Sequence, residues 1–383
     1  MLIANRFESI LDSLNSKIPN VVISEKVGIS AGTITRFLRN GTEMNFISLY
    51  RISELLSEYA NEDCSHFLNE SCMNLERPGN CKKALEYLAV NGRSPELGRL
   101  LDKLKKTTNR EILDWTEAYS INLMYLTDVP EDEFLQAVRE YKPKHRETRL
   151  FKLVLEIYYH FRRKNYTDIF ELTKVAKREL EKVEDEFLHD SYECRINLLL
   201  GCAYLYHLNK PNEARTLFHK IINTEYSTGV KAGAYYHIGM TFLYKDFNLC
   251  MHFIHKHREE MLRFNRIEQI NKVDFQDFPF IANVWDKPFT INKKTDLAEV
   301  AHYEAKHGNR ELAKNILVNL IQEKGGSGFQ YYYLALAEND DNLMLKSLTV
   351  FLKGGSRFFA RLAYEHLQKS PLLKDASKIL FEM

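Results

Sequence analysis

Between Glu25 and Glu43 the chain carries no acidic side chain. Within that window Lys26, Ser30, Thr33, Thr35, Arg36, Arg39 and Asn40 supply only cations, hydroxyls and an amide. Side chains of these types contact nucleic acid. Arginines reach guanine edges or phosphates, and hydroxyls and amides donate or accept at base edges. The residues between them provide a scaffold. Ile23 and Val27 share one helical face, and Ser24 is small where two helices must cross. Gly28 can take the positive φ of a sharp turn, and Ile29 follows as an apolar plug. Ser30 suits the N-cap of a second helix whose Ile34 and Phe37 point inward. This is the steric layout of a helix-turn-helix, with the polar set left outside. The competing reading is a small helical hairpin that touches no nucleic acid.

No other chemistry emerges from motif and spacing. There is no G-x-x-x-x-G-K-[ST]; Gly325, Gly326 and Gly328 are better read as turn breakers. There is no H-E-x-x-H. His252, His255 and His257 crowd one helix, but a metal wants further ligands nearby, so a solvated helix face is expected. Ser, His and Asp are too frequent to argue a triad. Cys194 and Cys202 are expected to be small packing residues. The reading is a protein that is not an enzyme and needs no metal or cofactor.

Composition sets the scale. The 383 residues are 45% hydrophobic and 27% charged, with a net charge of +1. A chain that coats nucleic acid along its length would be far more basic, so any DNA contact is local: one small reading head on a neutral body. The opening MLIANRFESILDSL has acids behind its apolar residues and reads as an amphipathic helix, not a signal peptide. No run of about 18 apolar residues exists to span a membrane. The six cysteines form no C-x-x-C pair and read as reduced thiols of a cytoplasmic protein.

Along the chain, Phe7, Ile10, Leu11 and Leu14 define a first helix packed on the hairpin. A helix carrying Phe46, Leu49, Ile52, Leu55 and Leu56 closes a bundle over residues 1–60. Residues 61–80 read as a connector with a short helix of its own, ending at Arg77-Pro78-Gly79-Asn80. Residues 81–383 read as helix after helix: Lys82–Val90, Glu111–Leu126, Glu133–Tyr141, Glu147–Arg163, Thr167–Val183 and Glu186–Leu208, with no strand alternation. The fold class is all-α.

Repetition within 81–383 decides the architecture. Leu200-Gly201 with Tyr204 is followed by a break at Asn209-Lys210-Pro211, then Ala214 and Phe218. Ile238-Gly239 with Phe242 is followed by a break at Lys245-Asp246, then Cys250 and Ile254. Glu304-Ala305, Gly308, Ala313 and Leu317 make a looser copy, and Lys324-Gly-Gly-Ser327 recurs as Lys353-Gly-Gly-Ser356. Length, order and small-residue placement match degenerate tetratricopeptide-like helix pairs of about 34 residues. One pair cannot bury its apolar face alone, so pairs stack into an α-solenoid. Its concave face suits an extended ligand. The first helices of the pairs are rich in Tyr192, Arg195, Asn197, Tyr204, Tyr235, Tyr236, His237, Gln330 and Tyr331–Tyr333. Singly these are ordinary core or surface residues; together they suit a peptide backbone.

An N-terminal helix-turn-helix, a short connector and degenerate tetratricopeptide-like pairs resemble the peptide-sensing transcription regulators of Gram-positive bacteria and their phages. More closely, the chain resembles the AimR-type phage arbitrium receptors, which control the lysis–lysogeny decision. The likeness is sharpest in the helix-turn-helix, Tyr192-Glu-Cys-Arg195-Ile-Asn197-Leu-Leu, Tyr235-Tyr-His-Ile-Gly239 and Asp296-Leu297-Ala-Glu299. The resemblance implies a homodimer in the host bacterial cytoplasm that binds double-stranded promoter DNA through its N-terminal domain. It implies that a signalling peptide of about six residues binds the repeat domain and changes promoter activation. Asn197 falls where the family has a peptide-binding asparagine, and Glu299 matches an acidic residue near the peptide. The candidate peptide contacts are thus Arg195, Asn197, Tyr204, Tyr235, His237, Glu299, Gln330 and Tyr332. Arg195, on another face from Asn197, can instead be structural or salt-bridged. Dimer contacts in the family involve the C-terminal repeats, which points to Leu372, Leu373, Ile379, Leu380 and Phe381; the same apolar helix would equally serve to cap the open end of the solenoid. Two other roles suit the same layout: a host quorum-sensing regulator, and a repeat scaffold that docks proteins without touching DNA.

Overall fold

The computed structural model describes residues 5, 7, 10, 18–60, 64–226, 228–263 and 266–382. Among them every regular element is a helix, and no strand forms. No described helix is long and apolar enough to cross a membrane.

The N-terminal hairpin forms as its residue types demand. Helix Asn20–Val27 buries Ile23 and Val27 and ends on Gly28, which adopts φ 74°. A side chain here would be strained, which is why glycine holds the turn. Ser24 Oγ donates to the Ile29 carbonyl and fixes the loop. Ser30 caps helix Ala31–Asn40 by accepting from Thr33 N at 3.1 Å, and Ile34 and Phe37 are buried. Helix Asn20–Val27 packs on both helix Ala31–Asn40 and helix Phe46–Ala60. Of the expected first helix, Leu11 and Leu14 lie outside the described residues. Phe7 is buried, its ring 6.1 Å from that of Phe37 and 5.8 Å from that of Phe67.

The 61–80 stretch contains helix Ser65–Cys72 and starts helix Pro78–Val90, with Pro in the first turn. Its junction is tied down. Asn80 donates to the Met44 carbonyl and accepts from Phe46 N, both at 3.0 Å, while Glu43 accepts from the backbone of Glu76 and Arg77.

Packing divides the chain into two units. One comprises Met1–Tyr159, Lys174–Arg195 and Glu225–Val230; the other comprises His160–Thr173, Ile196–Thr224 and Lys231–Met383. The expected helices are present within a few residues: Pro78–Val90, Arg110–Leu126, Glu131–Glu140, Arg146–Arg162, Tyr166–Leu180 and Glu186–Cys202. The last runs on into a π turn, Ala203–His207, closed by Leu208 N donating to the Ala203 carbonyl. Helix Ser94–Leu104, whose apolar stripe of Leu97, Leu100, Leu101 and Leu104 is fully buried, was not marked in the sequence.

In the second unit successive helices stack on their neighbours: Leu297–His307, Arg310–Lys324, Gly328–Glu338, Asp341–Lys353, Arg357–Leu367 and Lys374–Glu382. The repeat glycines mark close helix crossings. A Cβ on Gly201 would lie 2.4 Å from the Phe218 ring, and one on Gly239 would lie 3.0 Å from Ile254. The looser copy is real as packing: Ala305, Ala313 and Leu317 share one buried cluster with Tyr333. All six cysteines are free thiols and buried. Burial pushes the Cys81 thiol up to about 11 and Cys250 to about 12, so neither is a thiolate at neutral pH.

The Gly201 crossing yields a direct expectation. Gly201→Ala forces the Phe218 ring off its place and should destabilise the protein by about 1–3 kcal/mol, read as a lowered urea midpoint. An unchanged midpoint would show that the crossing has slack.

Candidate functional site

The second unit holds a cavity of about 450 Å³. Five short segments and a single ring build its wall. Helix Thr228–Thr241 gives Tyr236 and Met240; the Lys272–Phe280 stretch gives Lys272, Gln276, Asp277 and Phe280; the start of helix Leu297–His307 gives Asp296 and Glu299. Leu320, then Ser327, Phe329, Gln330 and Tyr333, and finally the ring of Phe359 complete it. Three carboxylates therefore face one ammonium.

Each charged group has a definite setting. Asp296 is the N-cap of its helix and accepts from Ala298 N at 2.9 Å. Glu299 is 5% exposed. Its Oε1 accepts from the Tyr333 hydroxyl at 2.7 Å, and its Oε2 accepts from Asn283 Nδ2 at 3.1 Å and lies 3.3 Å from His302 Nδ1. The His302 ring stacks on Tyr333 at 4.0 Å, and burial pushes its pKa below the usual value, so the ring is neutral at pH 7. Glu299 is thus a buried carboxylate held by neutral donors, with no Lys or Arg paired to it among the described residues. Asp277 ends a π turn, Val273–Asp277, and accepts from the Tyr236 hydroxyl at 3.2 Å. Burial lifts its carboxyl to about 6; Lys272 and the Tyr236 hydroxyl oppose that rise, and Glu299 adds to it.

Of the residues picked from sequence, the cavity wall brings together Glu299 and Gln330. Gln330 also closes a capping box: its Oε1 accepts from Ser327 N at 3.0 Å, and its own N donates to Ser327 Oγ at 3.2 Å. The others lie off the wall. Arg195 is 3% exposed and clamped on Glu86, with Nε to Oε1 at 2.8 Å and Nη2 to Oε2 at 3.0 Å; its Nη1 donates to the Tyr158 hydroxyl at 2.7 Å. Every arm of the guanidinium is engaged, which is the salt-bridged alternative. Asn197 is 1% exposed in the helix interior. Tyr204 packs edge-on to Phe170, Tyr235 stacks near Phe253, and the Tyr332 ring meets His302 edge-on. His237 shares a 2.8 Å hydrogen bond with the Tyr206 hydroxyl, and burial pushes its pKa down to about 3. Lys272, Gln276 and Asp277 went unmarked in the sequence. Only the acidic and amide side chains clustered before Pro279 hinted at them.

On the N-terminal hairpin, Lys26, Ser30, Arg36, Arg39 and Asn40 are exposed, while Thr33 and Thr35 are partly buried. Lys26 is 3.0 Å from Glu58, and Thr35 Oγ1 donates back to the Ala31 carbonyl at 2.9 Å. Arg36 and Arg39 extend from the second helix with no ion pair among the described residues. The terminal apolar residues divide. Leu373, Leu380 and Phe381 pack on the chain's own last cluster, Phe381 stacking on Tyr364 at 4.2 Å. Leu372 and Ile379 are 91% and 63% exposed.

Stacked helix pairs, a capped hairpin with basic outer face and a charged cavity define a helical-repeat architecture. The chain belongs to the AimR transcriptional regulator-like family, whose sequence pattern matches residues 65–369. Its fold is similar to that of phAimR in its selenomethionine form, with a TM-score of 0.78 and 18% identity, covering 99% of this chain and 100% of that one. It is similar also to ligand-bound phAimR, with a TM-score of 0.68 and 21% identity over 82% and 95% of the two chains. An uncharacterized protein of Bacillus anthracis is 25% identical over 225 residues, 57% of this chain and 83% of its own length.

Asp277 makes stability depend on pH. Its folded pKa of about 6 exceeds the ordinary 3.8, so the folded state holds a proton that the unfolded state has lost. Its contribution is neutral below about pH 4 and grows unfavourable as pH rises to 6, reaching about 3 kcal/mol. Asp277→Asn should therefore stabilise the protein at pH 7 relative to wild type, with the gain vanishing near pH 4. Urea unfolding at the two pH values checks it; an equal difference at both would remove Asp277 as the source.

Proposed function

We propose that this chain is a peptide-responsive, DNA-binding transcription regulator of the arbitrium type. Residues 1–60 read promoter DNA, 61–80 connect, and 81–383 bind the peptide and carry a dimer contact. The observation that carries the reading is the cavity with Glu299 buried in its wall and, among the described residues, paired to no Lys or Arg. A peptide supplies what such a wall lacks. Its amides pair with Gln276 and Gln330, its apolar residues lie on Phe280, Phe329 and Phe359, and its positive group meets Glu299 and Asp277. Three carboxylates against Lys272 favour a peptide that brings positive charge, through its amino terminus or a basic side chain.

Arg36, Arg39 and Asn40 form the DNA contact, with Lys26, Ser30 and Thr33 toward phosphates. Lys26 would exchange Glu58 for phosphate on docking. Leu372 and Ile379, exposed beside the self-capping Leu373, Leu380 and Phe381, provide the apolar contact between copies in a homodimer. Peptide binding then acts by linkage. The dimer samples arrangements that do or do not match two operator half-sites, and a peptide that prefers one shifts DNA affinity by its differential binding free energy, about 1–3 kcal/mol. In a phage this sets the choice between lysis and lysogeny.

The test is a shift assay on the promoter beside the gene, with and without hexapeptides matching the end of a small secreted product encoded next to it. One peptide should change DNA binding. DNA binding indifferent to every peptide would reject the peptide reading, and no DNA binding by an intact protein would favour the docking scaffold. Arg36→Ala with Arg39→Ala should weaken DNA binding at least tenfold and leave peptide binding intact. Glu299→Gln should do the reverse, weakening the peptide about tenfold or more. A folded variant of either class that lost both activities would break this division of labour. Peptide affinity should also fall as pH drops through about 6, because protonation of Asp277 removes a charge that attracts the peptide. Asp277→Asn should flatten that profile in calorimetric titrations.

A further inference from the structure

We propose that a second cleft, beside the Lys353-Gly-Gly-Ser356 turn, binds an anion carried on a small apolar body: a carboxylate or a phosphate monoester. The cleft measures about 360 Å³, within the range of small-molecule sites (~300–1,000 Å³), and is separate in its lining from the cavity around Glu299. Its wall combines Lys353 and Arg357 with Leu352, Leu380, Thr349 and the His207 ring. Lys164 lies beside the same turn, its Nζ 3.6 Å from where a Cβ on Gly354 would be, without lining the cleft. Neither Lys164, Lys353 nor Arg357 forms an ion pair among the described residues, whereas Arg361, one turn after Arg357, is held by Glu365 at 2.5 Å. Two uncompensated cations, Lys353 and Arg357, therefore line one hollow whose floor is leucine and imidazole. Charge calls for an anion, and the floor calls for an apolar body attached to it.

The two Lys-Gly-Gly-Ser turns differ in a way that supports this. Ser327 caps its own helix through the box with Gln330. Ser356 makes no side-chain cap, and Phe359 stands where the box would need Gln or Glu, so the first N–H groups of helix Arg357–Leu367 lack that internal acceptor. Gly355, at φ 67°, lets the turn close on Tyr166, whose ring stacks on His207 at 4.6 Å and holds it in the wall. Burial keeps the His207 pKa below the usual value, a hydrogen bond to the Gly355 backbone opposes this, and Arg357 adds to the lowering.

The experiment uses the full chain and four probes in calorimetric titration: phenyl phosphate, phenylacetate, inorganic phosphate and benzyl alcohol. Saturable binding of phenyl phosphate or phenylacetate, at least tenfold tighter than inorganic phosphate or benzyl alcohol, supports the site, and the better of the two identifies the head group. Lys353→Gln and Arg357→Gln, shown folded by circular dichroism, should each weaken it at least fivefold, and Glu299→Gln should not. The bound anion should also raise the His207 pKa followed by ring-proton NMR. Absence of saturable binding by both aromatic anions, equal binding of the inorganic ion, or binding unchanged in both folded variants overturns the proposal.

Discussion

The first unit is organised by the buried Glu86–Arg195 pair. Both groups are at most 3% exposed, and taking two such charges out of water costs several kcal/mol per ion before their attraction is counted. The pair stands because its remaining valences are filled. The Tyr119 hydroxyl donates to Glu86 at 2.6 Å, Ser191 donates to the other oxygen, and Tyr158 receives the last guanidinium arm. Those residues come from helices Pro78–Val90, Arg110–Leu126, Arg146–Arg162 and Glu186–Cys202. A pairing so demanding tolerates few alternative registers, so it fixes helices that apolar stripes alone would let slide. Asp114 repeats the device on a smaller scale, accepting from Tyr141, Thr148 and the backbone of Lys144 and His145.

The second unit relies on a different constraint, close approach. Small residues at Gly201, Gly239, Ala305 and Ala313 let helix axes near one another, and large partners fill the space they leave. Such a stack buries each face only against the next, so its last helix must either be covered or cover itself. Helix Lys374–Glu382 covers itself in part, turning Leu380 and Phe381 inward and leaving Ile379 outward.

These two constraints explain what could be read from the sequence. The hairpin was legible because each of its signals is local: Gly28, Ser30, Ile34 and Phe37 lie within one short window. The stacking was legible because a glycine, a break and a large apolar partner recur in the same order, Gly201 with Phe218 and then Gly239 with Ile254. Arg195 was ambiguous because spacing gives a residue its face but not a partner over a hundred positions away. The cavity was half legible. Glu299 and Gln330 sit in recognisable segments, while Gln276 and Asp277 lie in a helical irregularity, with Lys272 just before it, that a regular 3.6-residue pattern conceals.

Among the described residues that irregularity occurs twice, at Ala203–His207 and at Val273–Asp277, and each time the last residue of the π turn faces a hollow: His207 the basic cleft, Asp277 the acidic cavity. A π turn is a helix with one residue too many. Each site is therefore bound up with a single extra residue in a helix, and a relative lacking that codon keeps the helix while its next side chains rotate by about 100°. A one-residue gain or loss inside such a helix would re-aim the side chains lining a hollow and leave the stacked framework untouched. Alignments that forbid gaps in helices would read such a change as several substitutions.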